Sequence, residues 1–505
     1  MKRTAAISAI VSLALIAFLL TTKVSIGIAS EWAWRHDPTR HVVLLDFVIW
    51  GVGFAIIALL AYLCDFHFKR GREKIVICIL ILLIGVWADY NLMSVGAVST
   101  YESPVACCYD FATGYLTASM FVENPLDYAR HYHETLALDA DTTNHLDVHP
   151  VGNIIFSYYV RKAAECFPKP LLNFFYNDLI VDMGREIASN WLLKRNLQLM
   201  DENMLQMELE VAERISLLFF LFMAIAKILF FCTLLLLMRQ CGNVGVISML
   251  TAAATYAPVL FLGLYDTMYF FFGSVICLLL ALAVNYDTVK RPIWTLLAGA
   301  MMAFSCIFSL AFLAFGLFAL LFFMLRFSWK EGILRTLWLI LGGCIVVAAF
   351  EFAEIRYVQM AFYAWRNNAR YFAEAQRSRW LWPPFNFIDM LLFENSVWVL
   401  PLLATIPFLW CKLKEGRGRL SEQADAFAVA TVVILAILLV SGFSRGEMGR
   451  LLLFIFPAFM LSASMPIMRA AIDKRGFALW CGAAYLAGAL ALTIRGTLAI
   501  LMIVV

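Results

Sequence analysis

The sequence predicts an all-α polytopic membrane protein of about 12–14 transmembrane helices, with one large helical loop outside the bilayer. Three observations predict it. Hydrophobic residues make up 63% of the 505 residues and charged residues 15%, against roughly 45–50% and about 25% in soluble domains. Apolar runs of about 17–25 residues, the length a helix needs to cross a hydrocarbon core, recur along the chain. Between the third and fourth of these runs lies a polar stretch, 94–213, with 17 Asp/Glu against 7 Lys/Arg.

The apolar runs fall into two groups. Residues 4–22, 41–64 and 75–93 form an amino-terminal set, so that 1–93 is one unit. After the insert come 215–238, 243–264, 267–285, 292–309, 310–326, 334–353, 394–411, 426–443, 451–467 and 477–494, which make 214–505 a carboxy-terminal bundle. The 35 residues of 292–326 are expected either as two spans or as one long tilted one. A membrane barrel would show weaker, alternating segments of about ten residues, so helices are the expected spanning form. Met1–Arg3 and the apolar run behind it also fit a signal peptide, although a retained helix is the favoured reading.

Orientation follows from the positive charges, which collect in short cytoplasmic loops. With the amino terminus inside, the inner segments are Met1–Arg3, 65–74, Arg239–Asn243, 286–291, 326–335, 412–425 and 468–476, and these hold 19 of the 39 Lys/Arg. The insert 94–213 and the segment 354–393 then lie together on the non-cytoplasmic face. The net charge of +3 is small, and no nucleic-acid partner is expected. Twelve cysteines are scattered, many within spans, which does not describe a disulfide scaffold.

Chemistry is expected in the outer segments. Four of the seven histidines, His131, His133, His145 and His149, fall in 19 residues of the insert. Residues 111–122 and 150–166 read as local helices, and 123–149 as polar and turn-rich, with Pro125 and Pro150 as punctuation. From Arg185 to Arg214 the pattern is that of an amphipathic helix lying in the headgroup plane or packing over the spans. The segment 354–393 is rich in arginine and tryptophan, including Arg356, Trp365, Arg366, Arg370, Arg379, Trp380 and Trp382. The tryptophans suit an interfacial belt; the guanidinium groups suit phosphate or ordinary snorkelling to the headgroups. The turn from Ser444 to Arg450 places Arg445 and Arg450 around Glu447 and two glycines, a compact anion site or a plain solvated loop. Lys227 lies mid-span, where a charge needs a partner or a function, and Asp46 and Glu351 are the partners considered.

The stretches Tyr109-Asp110-Phe111-Ala112-Thr113-Gly114-Tyr115, Asn124-Pro125-Leu126-Asp127-Tyr128 and His145-Leu146-Asp147-Val148-His149-Pro150-Val151-Gly152 resemble a known outer loop. The chain resembles GT-C class polytopic glycosyltransferases, in particular the bacterial protein-mannosyltransferase and RgtA/B/C/D-like group. Pro384–Asp389 and the Arg445–Arg450 turn are similar to late elements of the same proteins. Val151 stands where the signature has a second proline, and Asp147 where it has a small hydroxyl-bearing residue.

The resemblance implies a GT-C-like fold in a bacterial inner membrane and a sugar donor carried on a polyprenyl phosphate, with a lipid, glycan or protein as acceptor. It implies Asp110 as the base that deprotonates the acceptor, and His149, with Arg445 and Arg450, as the groups meeting the lipid phosphate. His145, Arg379 and Glu447 complete the expected substrate contacts. Read from the residues alone, Asp110 also fits a helix cap and His149 a turn before proline. A divalent metal on His145 and His149, four residues apart, is a further possibility, weakened by Pro150, which disfavours a continuing helix. The alternatives in function are a transporter or flippase for lipid-linked saccharides and a non-catalytic assembly subunit.

Overall fold

A computed structural model describes residues 2–22, 25–28, 32–36, 43–67, 71–94, 114–137, 146–164, 202–237, 265–285, 291–374, 378–416, 418, 420, 422–441, 452–470 and 473–499. Among these residues there are 17 α-helices, and 88% of positions are helical. Seven helices are long and apolar enough to cross a membrane. Four further helices have apolar segments of 10–17 residues, Val76–Trp87, Leu221–Leu237, Pro292–Cys306 and Leu310–Arg326. The expected span 243–264 lies outside the described residues.

In chain order the elements are α1 (Lys2–Thr21), β1 (Ile26–Ile28), β2 (Trp32–His36), α2 (Leu44–Phe66) and α3 (Gly71–Ser94). The elements of the polar insert follow as α4 (Tyr115–Met120), α5 (Pro125–Ala137), a 3-10 turn (Leu146–Val148) and α6 (Gly152–Ala164). Then come α7 (Glu202–Leu237), α8 (Asp266–Asn285), α9 (Arg291–Cys306), a 3-10 turn (Leu310–Phe312), α10 (Leu313–Arg326) and α11 (Trp329–Phe352). The last are α12 (Tyr357–Glu374), α13 (Trp382–Phe393), α14 (Ser396–Glu415), α15 (Gln423–Ser441), α16 (Phe456–Ala470), α17 (Lys474–Thr497) and β3 (Leu498–Ala499). The 292–326 stretch is therefore two helices, turned at Ile307–Phe312.

Three features depart from the expectation. The chain is not purely helical: β1, β2 and β3 form a small antiparallel sheet in that order. The polar segment after Glu123 is not all turn, because α5 occupies 13 residues of it. Asn124 starts that helix by accepting from the Leu126 and Asp127 amides at 3.1 and 3.3 Å, and Pro125 fits the first helical position, where its missing N–H costs nothing. Finally, α7 runs unbroken for 36 residues, so the end of the insert and the following span are one helix; 185–201 lie outside the described residues.

Packing is tight where small residues face a neighbouring backbone, the usual device for bringing apolar helices close without polar contacts. A Cβ on Gly299 would lie 1.8 Å from the Leu339 carbonyl oxygen, and one on Gly342 would lie 1.9 Å from that of Leu296, which locks α9 against α11. Phe312, Phe315, Phe318, Phe322, Phe427 and Phe454 form a continuous ring-on-ring core between α10, α15 and the start of α16.

The described segments assigned to one side do gather at one end. Lys2 donates to Asp473 at 2.6 Å, and this hydrogen bond holds the Asp473 carboxyl below its ordinary range, with the Gly476 amide assisting. Since α1 and α17 start together there, they run parallel, and β2 joins β3 beyond their far ends. At the same starting end, Lys412 contacts Glu422 at 3.2 Å and Asp425 at 2.6 Å, while Arg469 bonds both carboxylates. Gln423 reaches the carbonyls that end α7, and Arg335 reaches Ala283 near the end of α8. The opposite ends of α9 and α11 carry the cap formed by α4, α5, α6 and α12.

Candidate functional site at the cap and bundle seam

The insert and the 354–393 segment meet. Arg130 of α5 donates through Nε to the Ala353 carbonyl at 3.0 Å and lies 3.5 Å from Glu354. Asn367 of α12, which is buried, donates to the Leu136 carbonyl at 3.0 Å. Tyr132 donates to the Leu146 carbonyl at 3.1 Å and so ties α5 to the 3-10 turn. One face of α12 thus covers α5, while Val358, Phe362 and Trp365 remain exposed.

This cap is seated on the bundle by the segment His149-Pro150-Val151-Gly152-Asn153. The Gly152 amide donates to the Ile307 carbonyl at 2.9 Å, and a Cβ at Gly152 would lie 2.5 Å from that oxygen. Only glycine allows such an approach without displacement. One residue on, the Asn153 side-chain Nδ2 donates to the Tyr269 hydroxyl at 2.9 Å and to the Phe308 carbonyl at 3.3 Å. Tyr269 in turn donates to Phe308 at 3.2 Å, and Ser157 bonds the Tyr265 hydroxyl.

Under the seat lies Tyr115, whose ring meets His149 edge-on at 5.9 Å and Tyr265 at 4.9 Å. Burial, reinforced by Tyr269, pushes the Tyr115 phenol well above its ordinary pKa, so it stays protonated and acts as a neutral hydrogen-bonding group. Asp266, at the start of α8, is close enough to contribute to that environment. Both His149 and Asp266 are half-buried. The seam therefore holds an imidazole and a carboxylate, each half-buried, beside a buried tyrosine cluster.

The expected site residues have different positions. His149 is in the seam. Arg379 is exposed in the turn before α13, its guanidinium 5.8 Å from the centre of the Trp380 ring. Asp110, His145, Arg445, Glu447 and Arg450 lie outside the described residues. His131 and His133 turn back on their own helix, with Nδ1 against the carbonyls of Asp127 and Arg130 at 3.0 and 2.8 Å. Among the described residues no group of three or more His, Cys, Asp or Glu is placed to hold a metal ion. Trp365 and Trp380 are exposed as belt residues would be, but Trp382 is 1% exposed and packs inside the bundle.

Other charged positions are also resolved. Asp46 caps α2 by accepting from the Val43 amide at 3.0 Å, and Glu351 accepts from the Val358 amide at 3.1 Å. Lys227 is fully enclosed. Asp266 was not a candidate in the sequence; the available signal was Tyr265-Asp266-x-x-Tyr269 at the mouth of a span, two hydroxyls flanking a carboxylate where solvation is cheap. Comparison with family models, with curated proteins and with solved structures gave no match.

Proposed function

We propose that the protein is an integral-membrane glycosyltransferase that moves a sugar from a polyprenyl-phosphate donor to an acceptor on the non-cytoplasmic face. The observation that carries this reading is the seated cap: two surface segments far apart in sequence pack together and close over the bundle end, with His149 and Asp266 in the seam. Such a seam suits a ligand whose lipid tail lies among helices and whose head group reaches water.

In this reading the Asp110 carboxylate takes the proton of the acceptor hydroxyl as that oxygen bonds to the anomeric carbon. The bond from the anomeric carbon to the phosphate oxygen breaks, its electron pair leaves with the polyprenyl phosphate, and the anomeric centre inverts. His149, Arg445 and Arg450 meet the released negative charge, with His145, Arg379 and Glu447 contacting the substrate. Asp266, beside Tyr115, is a second carboxylate for the acceptor side. Sugar transfer by membranes carrying Asp110→Asn tests the assignment: loss of transfer at normal protein level supports it, and unchanged transfer removes Asp110 as the base.

A second reading, a carrier for lipid-linked saccharides, is favoured by one observation. The α13–α14 segment is broken inside the bundle at Glu394-Asn395, and interrupted helices with midplane charge mark many transport sites.

A further inference from the structure

Away from the seam, the bundle carries a second polar feature at the break between α13 and α14. Asn395 has φ of 75°, starts α14 by accepting from the Val397 amide at 3.2 Å, and donates to the Ala487 carbonyl at 3.0 Å. The Ser396 hydroxyl meets that of Ser12 at 2.6 Å. Ser12 and Ala487 lie near the middle of α1 and α17, two candidate spans, so the break, where the candidate span α14 begins, is level with the middles of those two helices.

Glu394 is 1% exposed, and neither of its carboxyl oxygens has a hydrogen-bond partner. The Asp389 carboxyl, also buried, is near enough to act on it electrostatically. Asn386 lies one turn before Asp389 on the same helix and is fully enclosed. An ionised carboxylate without donors in a dry interior is strongly disfavoured, and intramembrane carboxyls are retained where they carry protons or ions.

The charged side chains described on the surrounding helices sit elsewhere. Lys412 and Asp425 belong to the ion-pair cluster at the far end of α14 and α15, and Lys414 lies one turn away, over Trp410. Lys2, Arg3, Lys474 and Arg475 stand at the starts of α1 and α17. Arg495, in the last turns of α17, lies outside the described side chains.

We infer that Glu394, with Asp389 beside it, is a site for one exchangeable monovalent cation, a proton or a sodium ion. The donors are all oxygen, and the single charge of Glu394 matches one unit of positive charge. The inference does not rest on glycosyl transfer.

The test uses the full-length protein in lipid nanodiscs. Infrared difference spectra follow the protonated-carboxyl stretch while pH is raised, in sodium chloride and in choline chloride, and calorimetry follows sodium binding. Wild type is compared with Glu394→Gln, which keeps the shape and removes the charge; Asp389→Asn is the second variant, expected to shift the signal without abolishing it. The site predicts a carboxyl band present in wild type and missing in Glu394→Gln. Loss of the band with pH alone identifies a proton; loss on adding sodium at fixed pH, with sodium heat absent in the variant, identifies sodium. Identical spectra in wild type and Glu394→Gln, with no sodium binding lost, overturn the inference. Sugar transfer is read in neither arm, so that result leaves the seam untouched.

Discussion

The Gly152 amide and the Ile307 carbonyl form a 2.9 Å hydrogen bond that joins the cap to the bundle backbone to backbone. No side chain intervenes, so the distance between the two layers is fixed by the absence of a Cβ. Gly152→Ala places a methyl carbon 2.5 Å from the Ile307 oxygen and 2.9 Å from its carbon, and neither layer yields without moving main chain. The expected cost is about 1–3 kcal/mol, the usual range for overpacking. Limited proteolysis of the purified protein checks it: cleavage within 114–164 speeds up in the variant while the rest of the chain stays resistant.

The clasp between α5 and α12 separates a buried contact from an exposed one. Asn367→Ala removes the donor to the Leu136 carbonyl at a site 3% exposed and is expected to lower stability by about 1–3 kcal/mol. Glu354→Gln breaks an ion pair whose acid is 73% exposed, and exposed pairs are worth roughly 0–1 kcal/mol. Thermal unfolding in detergent ranks the two, and a larger loss in Glu354→Gln contradicts the account. Glu354 also has φ of 64°, so Glu354→Gly is expected to hold or raise stability by relieving a left-handed backbone.

At the opposite end, Asp425 is the hub of the charge cluster. Its side chain is 3% exposed and accepts from Lys412 and Arg469. Asp425→Asn leaves Glu422 as the one carboxylate facing both cations, and the predicted loss is about 2–4 kcal/mol, below the figure for a fully buried pair because both cations keep about 30% exposure and this second partner. Lys412→Met costs less, since Arg469 still neutralises the hub. Unfolding midpoints at low and high salt check both; a hub buried this deeply changes little with salt.

Much of this architecture is legible in the sequence because Lys and Arg sort by side. Charge alone groups the segments of Lys2, Lys412, Arg469 and Lys474, and the fold brings them to one end. The turn at Ile307–Phe312 was less legible, because Cys306-Ile307-Phe308-Ser309 is as apolar as the helices it separates. The start of α5 was missed because Asn124-Pro125 reads equally as a turn and as a cap followed by a first helical residue. β3 pairs with a strand more than 450 residues earlier, and two residues carry no periodicity. The sequence places Glu394 at the start of a span, and α14 does begin at Ser396; nothing local shows that this start is enclosed, because the enclosure comes from what α1 and α17 place around it.

If the seated cap closes over a lipid-linked phosphate, that lipid stays with the gently purified protein and is seen by mass spectrometry. The expected result is polyprenyl-phosphate lipids bound to wild type and depleted in Arg450→Gln at equal protein recovery. Wild type carrying only bulk phospholipids, or Arg450→Gln retaining the same polyprenyl-phosphate load, contradicts it.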